Sequence, residues 1–407
     1  MSRKGEQETE PSQRALAASH MSHGVRLALG LLHSLAARGF RGLDPYDGLN
    51  APVASLLPRH PKLPRRLLVQ TVKRCPIALE PVLRVPPTVN SYTLGHVLLA
   101  CARLRQPAGP SYVAEVAADV LKMLEAAAVD TKSGTAWGYP FPVAVRFTEY
   151  PRGFPNIVAT SYVAKGLYAV HSTGLADCSD RLRAVAEFIL DELPTRRSSA
   201  GASFGYTPSF DGIIHNANAL AAQTLGLASI ATGTEHYREV ALSAASFTAS
   251  YQRAGGYWPY AEGAQGSWVD SFHTGFTLEG LSTVAELTAS KDLQESVAKG
   301  LRFYVARFFG PHGEPAYYAD GSTPYDALAA AQGIETLYAL RCRGVHTAQA
   351  LRLLLGWTYE HMIDADDWRV AYQLHAHWTD WRQFPRWSIA PMMSALAQLD
   401  VEAGADS

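Results

Sequence analysis

The chain has little of what would mark a nucleic-acid binder, a membrane span or a disulfide scaffold. Its 36 basic and 37 acidic residues nearly cancel, leaving a formal net charge of −1 at pH 7, so nothing points to a polyanion partner. No stretch offers 18 uncharged apolar residues in a row, which argues against membrane insertion. The four cysteines, Cys75, Cys101, Cys178 and Cys342, stand far apart without a CxxC or Cys/His ligand spacing; they read as reduced thiols of a cytosolic protein, not as bridges or a metal site. Strand-like alternation is confined to short runs such as Tyr257–Tyr260 and Ala316–Tyr318, and no Ser/Gly/Pro linker divides the chain. Residues 1–13 are polar and lack the apolar region of a secretion signal. The expected layout is a disordered leader over 1–13, one domain over 14–400 and a short tail over 401–407, in a soluble cytoplasmic protein.

What the chain does have is a repeat. A unit of about 55 residues opens at Thr160, Asn216, His273 and Asp326, with spacings of 56, 57 and 53, and a diverged opening follows near Arg386. Within a unit the apolar residues keep helical spacing: Leu278, Leu281, Val284 and Leu287, then, after a turn at Ser290, Val297, Leu301, Phe303 and Val305. Each unit therefore reads as an antiparallel helical hairpin. Gly174, Gly233 and Gly344 sit where a helix end needs a positive φ. Earlier stretches (14–39, 67–79, 91–104 and 112–127) look helical too, making about thirteen helices against the twelve of six hairpins. The predicted fold is all-α: a closed α/α toroid of about six helical hairpins. A ring also explains how 407 residues with 47% hydrophobic content form one core, because that core is a continuous double layer.

In such a ring the starts of all inner helices converge on one mouth, and the unusual residues gather there. They are Trp137 and Tyr139, then Asp211, His215 and Asn216, then Trp258, Trp268, Asp270 and His273, then Tyr325 and Asp326, then Arg386 and Trp387. Aromatic faces beside carboxylates and amides suit a pyranose, whose C–H face stacks while its hydroxyls hydrogen-bond. Glycosidic cleavage needs two carboxyl groups, one acid and one base or nucleophile. The candidates are Asp270 as general acid or base, His273 orienting it or sharing the proton, and Asp326 or Asp211 as the second carboxylate. Each of these aspartates is equally placed to be a plain helix cap, and each tryptophan to be a packing wedge. His215 and His273 lack metal-ligand spacing, so neither a metal nor another cofactor is expected. Arg65, Arg66, Lys73 and Arg74 read as a solvated helix face.

Two short strings point elsewhere. Asp364–Asp367 matches the DxDD of class II terpene cyclases, and Gln252–Trp258 the QxxxGxW of the same toroidal enzymes. The aspartate string follows the second helix of its hairpin, a position that suits a surface turn.

Several segments together resemble the polysaccharide-biosynthesis proteins of the Vibrio exopolysaccharide type, the VpsJ-like family, often mislabelled δ-aminolevulinic acid dehydratase. They are DPYDGLN (44–50), WGYPF (137–141), ATSYVAKGL (159–167), HNANAL (215–220), WVDSFHTGFTLEGL (268–281), PYDALAAAQ (324–332) and Arg386-Trp387. The resemblance implies a six-hairpin glycosidase-like fold and a role in making capsule or exopolysaccharide; it carries no catalytic assignment. Pro142-Val143-Ala144 and the Ser388–Pro391 stretch depart from the family pattern. The dehydratase label fails physically, since that chemistry needs a Schiff-base lysine in a β/α barrel and the sequence offers neither the strands nor a lysine in the expected mouth. The functional expectation is a carbohydrate-active protein, leaning towards an enzyme of hydrolase, lyase or epimerase type, acting on a poly- or oligosaccharide intermediate of cell-surface polysaccharide production. The alternatives are a cyclase using Asp366 and a non-catalytic glycan-binding or assembly protein.

Overall fold

The computed structural model describes residues 23–58, 62–144 and 149–399. The expected leader and tail, and the opening of the first helical stretch, lie outside these residues. Thirteen α-helices are described: α1 (His23–Ala37), α2 (Leu63–Arg74), α3 (Ser91–Arg103), α4 (Pro110–Ala126), α5 (Ile157–Ser172), α6 (Ser179–Glu192), α7 (His215–Thr232), α8 (Glu235–Ser250), α9 (Ser271–Thr288), α10 (Lys291–Phe308), α11 (Ala327–Ala339), α12 (Val345–His361) and α13 (Ala390–Ala397).

Six of them, α3, α5, α7, α9, α11 and α13, pack side by side in that order, and α13 packs back on α3. The ring is therefore closed, as expected, and not an open superhelix. α1, α4, α6, α8, α10 and α12 form the outer layer. Outer helices are amphipathic: α10 buries Leu293, Val297, Leu301, Tyr304 and Phe308 and exposes Asp292, Glu295 and Arg302. Inner helices are buried almost throughout, because both their faces meet protein. Close approach between them requires small residues. A Cβ on Gly95 would lie 2.4 Å from the Tyr162 carbonyl oxygen, and one on Gly166 2.5 Å from that of Gly95.

All inner helices run the same way, so their N-termini share one end. Asn90, Asn156, Asp270 and Asp326 cap four of them through their side-chain oxygens. The first repeat thus opens at Ile157, a turn before Thr160, whose hydroxyl instead accepts the Trp137 N–H. At the opposite end, Gly174 (φ +71°) and Gly233 (φ +69°) make the expected left-handed turns; in the next repeat Ala289 adopts that conformation (φ +52°).

α2 belongs to neither layer. It lies with 44–58 against the mouth, with Leu49, Ala54, Val69 and Ala144 forming a small second core. Arg382 holds its C-terminus, donating to the carbonyls of Val72 and Lys73 at 3.0 and 2.9 Å. Among the described residues no helix is long and apolar enough to cross a membrane.

Candidate functional site

The mouth is built around two buried aspartates, each at the start of an inner helix and each gripped by an indole N–H. Asp270 caps α9 by accepting the His273 backbone N–H at 3.0 Å. Its second oxygen accepts from Trp268 Nε1 at 3.0 Å and meets His273 Nδ1 at 2.7 Å. The carboxylate is 2% exposed, so these donors occupy the space around it. His273 remains partly exposed and faces a small cavity shared with Trp258, Pro259, Tyr260, Thr274 and Thr277. The Tyr260 ring lies 4.6 Å from the imidazole and stacks on Trp268 at 4.5 Å.

On the next inner helix Asp326 accepts from Leu328 N (2.9 Å), Gln373 Nε2 (2.7 Å) and Trp387 Nε1 (3.0 Å). Burial raises this carboxyl above the usual range, against the lowering effect of the Gln373 and Trp387 hydrogen bonds. Phe272 bridges the two centres, 4.2 Å from the His273 ring and 5.7 Å from that of Trp387.

A third cluster comes from the far ends of the chain. Arg386 makes a buried two-pronged ion pair with Asp44, with its guanidinium 4.9 Å from the Tyr139 ring and 5.1 Å from that of Trp387. Beside it Asp47 accepts the Asp44 backbone N–H at 2.8 Å. Burial, reinforced by Asp44, pushes the Asp47 carboxyl up to about 8, so it holds a proton at neutral pH. Lys73 donates to the Tyr46 hydroxyl at 2.5 Å and lies 5.4 Å from the Trp387 ring. This corrects two expectations. The basic face of α2 is not simply solvated, since Arg65 pairs with Glu149 and Lys73 turns inward, and the mouth does contain a lysine. The dehydratase fold is nevertheless absent among the described residues, where only two- and three-stranded sheets occur.

Around these centres runs a belt of phenols, with Tyr139 and Tyr150 buried and Tyr206, Tyr260 and Tyr317 half-buried. Tyr139 and Tyr150 share hydrogen bonds with Tyr206, and burial raises the Tyr139, Tyr150, Tyr206, Tyr260 and Tyr317 hydroxyls well above their ordinary range. They stay neutral, able to donate and accept.

Other expected residues fall differently. His215 is buried, with Nε2 2.7 Å from Glu262, and burial lowers its pKa. Its neighbour Asn216 is buried with neither side-chain atom hydrogen-bonded. Asp211 is exposed, and its carboxylate is paired with Arg196. Trp137 is a packing wedge, donating to Leu124 O, and Tyr325 turns towards Trp357 on the outer layer. Trp258 lines the cavity but is anchored outward through Thr248 O and against Gly300. Its QxxxGxW string is structural, since Gln252 ties Gly256 O to Ser296 O across the outer connection. The DxDD string forms an exposed hairpin turn, with Asp364 and Asp367 paired to Arg369 and Asp366 in solvent. A cyclase acid must be dry and neutral, so the cyclase reading is overturned.

Sequence reasoning missed Tyr46, Asp47, Lys73, Tyr150, Tyr206 and Gln373, and gave Asp44 no role. The one available signal was the DPYDGLN segment, which contains three of them. Among the described residues no group of His, Cys, Asp and Glu gathers to hold a metal ion.

No family model and no curated protein matches the chain. Solved structures do share its fold. Cellobiose 2-epimerase from Bacillus thermoamylovorans superposes with a TM-score of 0.61 at 9% identity, over 76% of this chain and 87% of that one. A D-mannose isomerase gives 0.58 at 10%, over 76% and 87%. The GH76 α-mannanase BT2949 of Bacteroides thetaiotaomicron gives 0.57 at 11%, over 76% and 84%. These likenesses establish the six-hairpin α/α toroid.

Proposed function

We propose that the chain is a carbohydrate-active enzyme that moves a proton on a poly- or oligosaccharide intermediate of surface-polysaccharide production, as an epimerase, isomerase or lyase does. The observation that carries this reading is the Asp270–His273 pair. A buried carboxylate that accepts Nδ1–H fixes the tautomer and leaves Nε2 to the cavity, where it acts as base or, once protonated, as acid. The roles weighed from sequence are thereby exchanged: His273 holds or moves the proton and Asp270 positions it. Neutral phenols and the unpaired amide of Asn216 would meet sugar hydroxyls, and the Trp268–Tyr260 stack would offer a ring face. Asp47, whose carboxyl burial pushes up to about 8, is the candidate neutral acid. Hydrolysis by paired carboxylates is less well supported, since both indole-gripped aspartates have their oxygens engaged. The fold neighbours include sugar epimerases and isomerases as well as glycoside hydrolases, so the choice among these chemistries rests on the site.

The experiment is proton exchange. Reducing oligosaccharides and uronate-containing polysaccharides are incubated with the protein in D2O and followed by NMR. Deuterium entering a sugar C–H position, lost in His273→Ala, is the expected result. Cleavage with incorporation of solvent oxygen and no deuterium would replace this reading with hydrolysis. Saturable binding without any turnover would leave a glycan-binding protein.

A further inference from the structure

We infer that the cap over the mouth is a membrane-docking surface that lies on anionic lipid headgroups without spanning the bilayer. The described residues contain eleven exposed large hydrophobic side chains, and six of them, Val53, Leu56, Leu63, Leu67, Ile77 and Val82, come from this one short segment. Leu56, Ile77 and Val82 are 81%, 72% and 77% exposed, far beyond the incidental exposure of a surface aliphatic. They come from three pieces of the cap. One is the single helical turn at 52–56, another is the outer face of α2, and the last is the turn after it. On α2 the division is sharp: Val69 and Val72 face the mouth, whereas Leu63 and Leu67, one turn apart, face out beside Arg74.

Charge says what covers this face. The chain as a whole is nearly neutral, yet residues 53–84 hold Arg59, Lys62, Arg65, Arg66, Lys73, Arg74 and Arg84 against a single acid, Glu80, and the balance stays basic even with Arg65 paired to Glu149 and Lys73 turned inward. Glu80 is buried and paired with Arg382, so it does not face outward. Arg74 and Arg84 are exposed among the aliphatic tips. Aliphatic side chains without an aromatic anchor, mixed with arginine and carried on proline-stiffened turns, suit a laterally fluid anionic surface. A protein interface would instead call for aromatic anchors seated in pockets. Docking in this pose turns the mouth towards the headgroups, and it stands whatever chemistry the mouth performs.

The test is co-sedimentation of the full chain with phosphatidylcholine vesicles and with phosphatidylglycerol-rich vesicles. The full chain is expected to pellet with the anionic vesicles only, and to be released as salt rises. Leu56→Ser/Leu67→Ser/Ile77→Ser should lower the partition coefficient at least about tenfold, and Arg74→Glu/Arg84→Glu should do so while keeping the same melting temperature, since both arginines are exposed. Recovery in the supernatant with both vesicle types, equal binding to neutral vesicles, or charge-reversed protein that pellets like the original would each overturn the inference. So would a dimer, seen by light scattering, that Leu67→Ser dissociates without changing vesicle binding, because the face would then belong to a second copy of this chain.

Discussion

At the base of the ring α5 hands over to α6 across residues 173–178, α7 to α8 across 233–234, and α9 to α10 across 289–290. At the mouth the connections run over 193–214, 251–270, 309–326 and 362–389. The base turns depend on backbone conformation and carry almost no chemistry. The mouth connections carry the indoles, phenols and amides that surround Asp270 and Asp326. Repetition is therefore concentrated where the chain needs only to reverse, and individuality where it surrounds the two buried aspartates.

Arginine removal at each end is the harshest way to break that contrast. Arg386→Ala strands Asp44 in the interior beside Asp47 and should cost about 3–5 kcal/mol in chemical denaturation. Arg181→Ala, which removes a half-exposed partner of Glu125 from the outer layer, should cost under about 1 kcal/mol. Equal losses would mean that the mouth cluster has no special burial. Next in size is chemistry: Asp270→Asn keeps the helix cap but cannot fix His273, so turnover should fall on the order of 100-fold while the melting temperature barely moves. An equal loss of activity and stability would reduce Asp270 to a cap.

Asp47 sharpens the comparison through pH. Its folded pKa is raised from 3.8 to about 8, so its protonated form stabilises the fold at low pH and that contribution is lost as pH rises through this window. Asp47→Asn should be flatter across the same range, so that the variant gains steadily on the native chain as pH rises from about 4 to about 8. Parallel pH curves for the two proteins would refute it. The smallest effects belong to the base. Gly233→Ala should cost about 1 kcal/mol and Ala289→Gly should gain about 0.5 kcal/mol, because both positions are left-handed.

The ring itself was legible because its causes are local and repeated: helical apolar spacing, a turn, a cap, every 53 to 57 residues. Asp270, His273, Asp326 and Trp387 were legible as helix-start residues for the same reason. Trp137 and Trp258 were not separable from them, since an indole in a loop looks alike in sequence whether it plugs a hairpin junction or faces a cleft. Lys73, Asp44 and Asp47 were illegible as site residues because contacts across the whole chain place them, Arg386 reaching back to Asp44 and Arg382 to the end of α2. DxDD and QxxxGxW matched a cyclase pattern because short strings of turn residues recur wherever hairpins need tying, and the surface turn expected of the aspartates is what forms.

Closure has a consequence for synthesis. His96 on α3 meets Ser394 on α13 at 2.7 Å, and Arg103 reaches the Ser394 carbonyl at the same distance. A chain emerging from the ribosome must therefore hold the flank of α3 open to solvent until α13 arrives, with a large apolar surface waiting for its partner. An open solenoid tolerates the loss of a terminal repeat; this ring cannot, since its final helix is also the neighbour of its first inner one. A stop codon or a protease cut just before Ala390 would leave a horseshoe prone to aggregation, and not a slightly smaller ring.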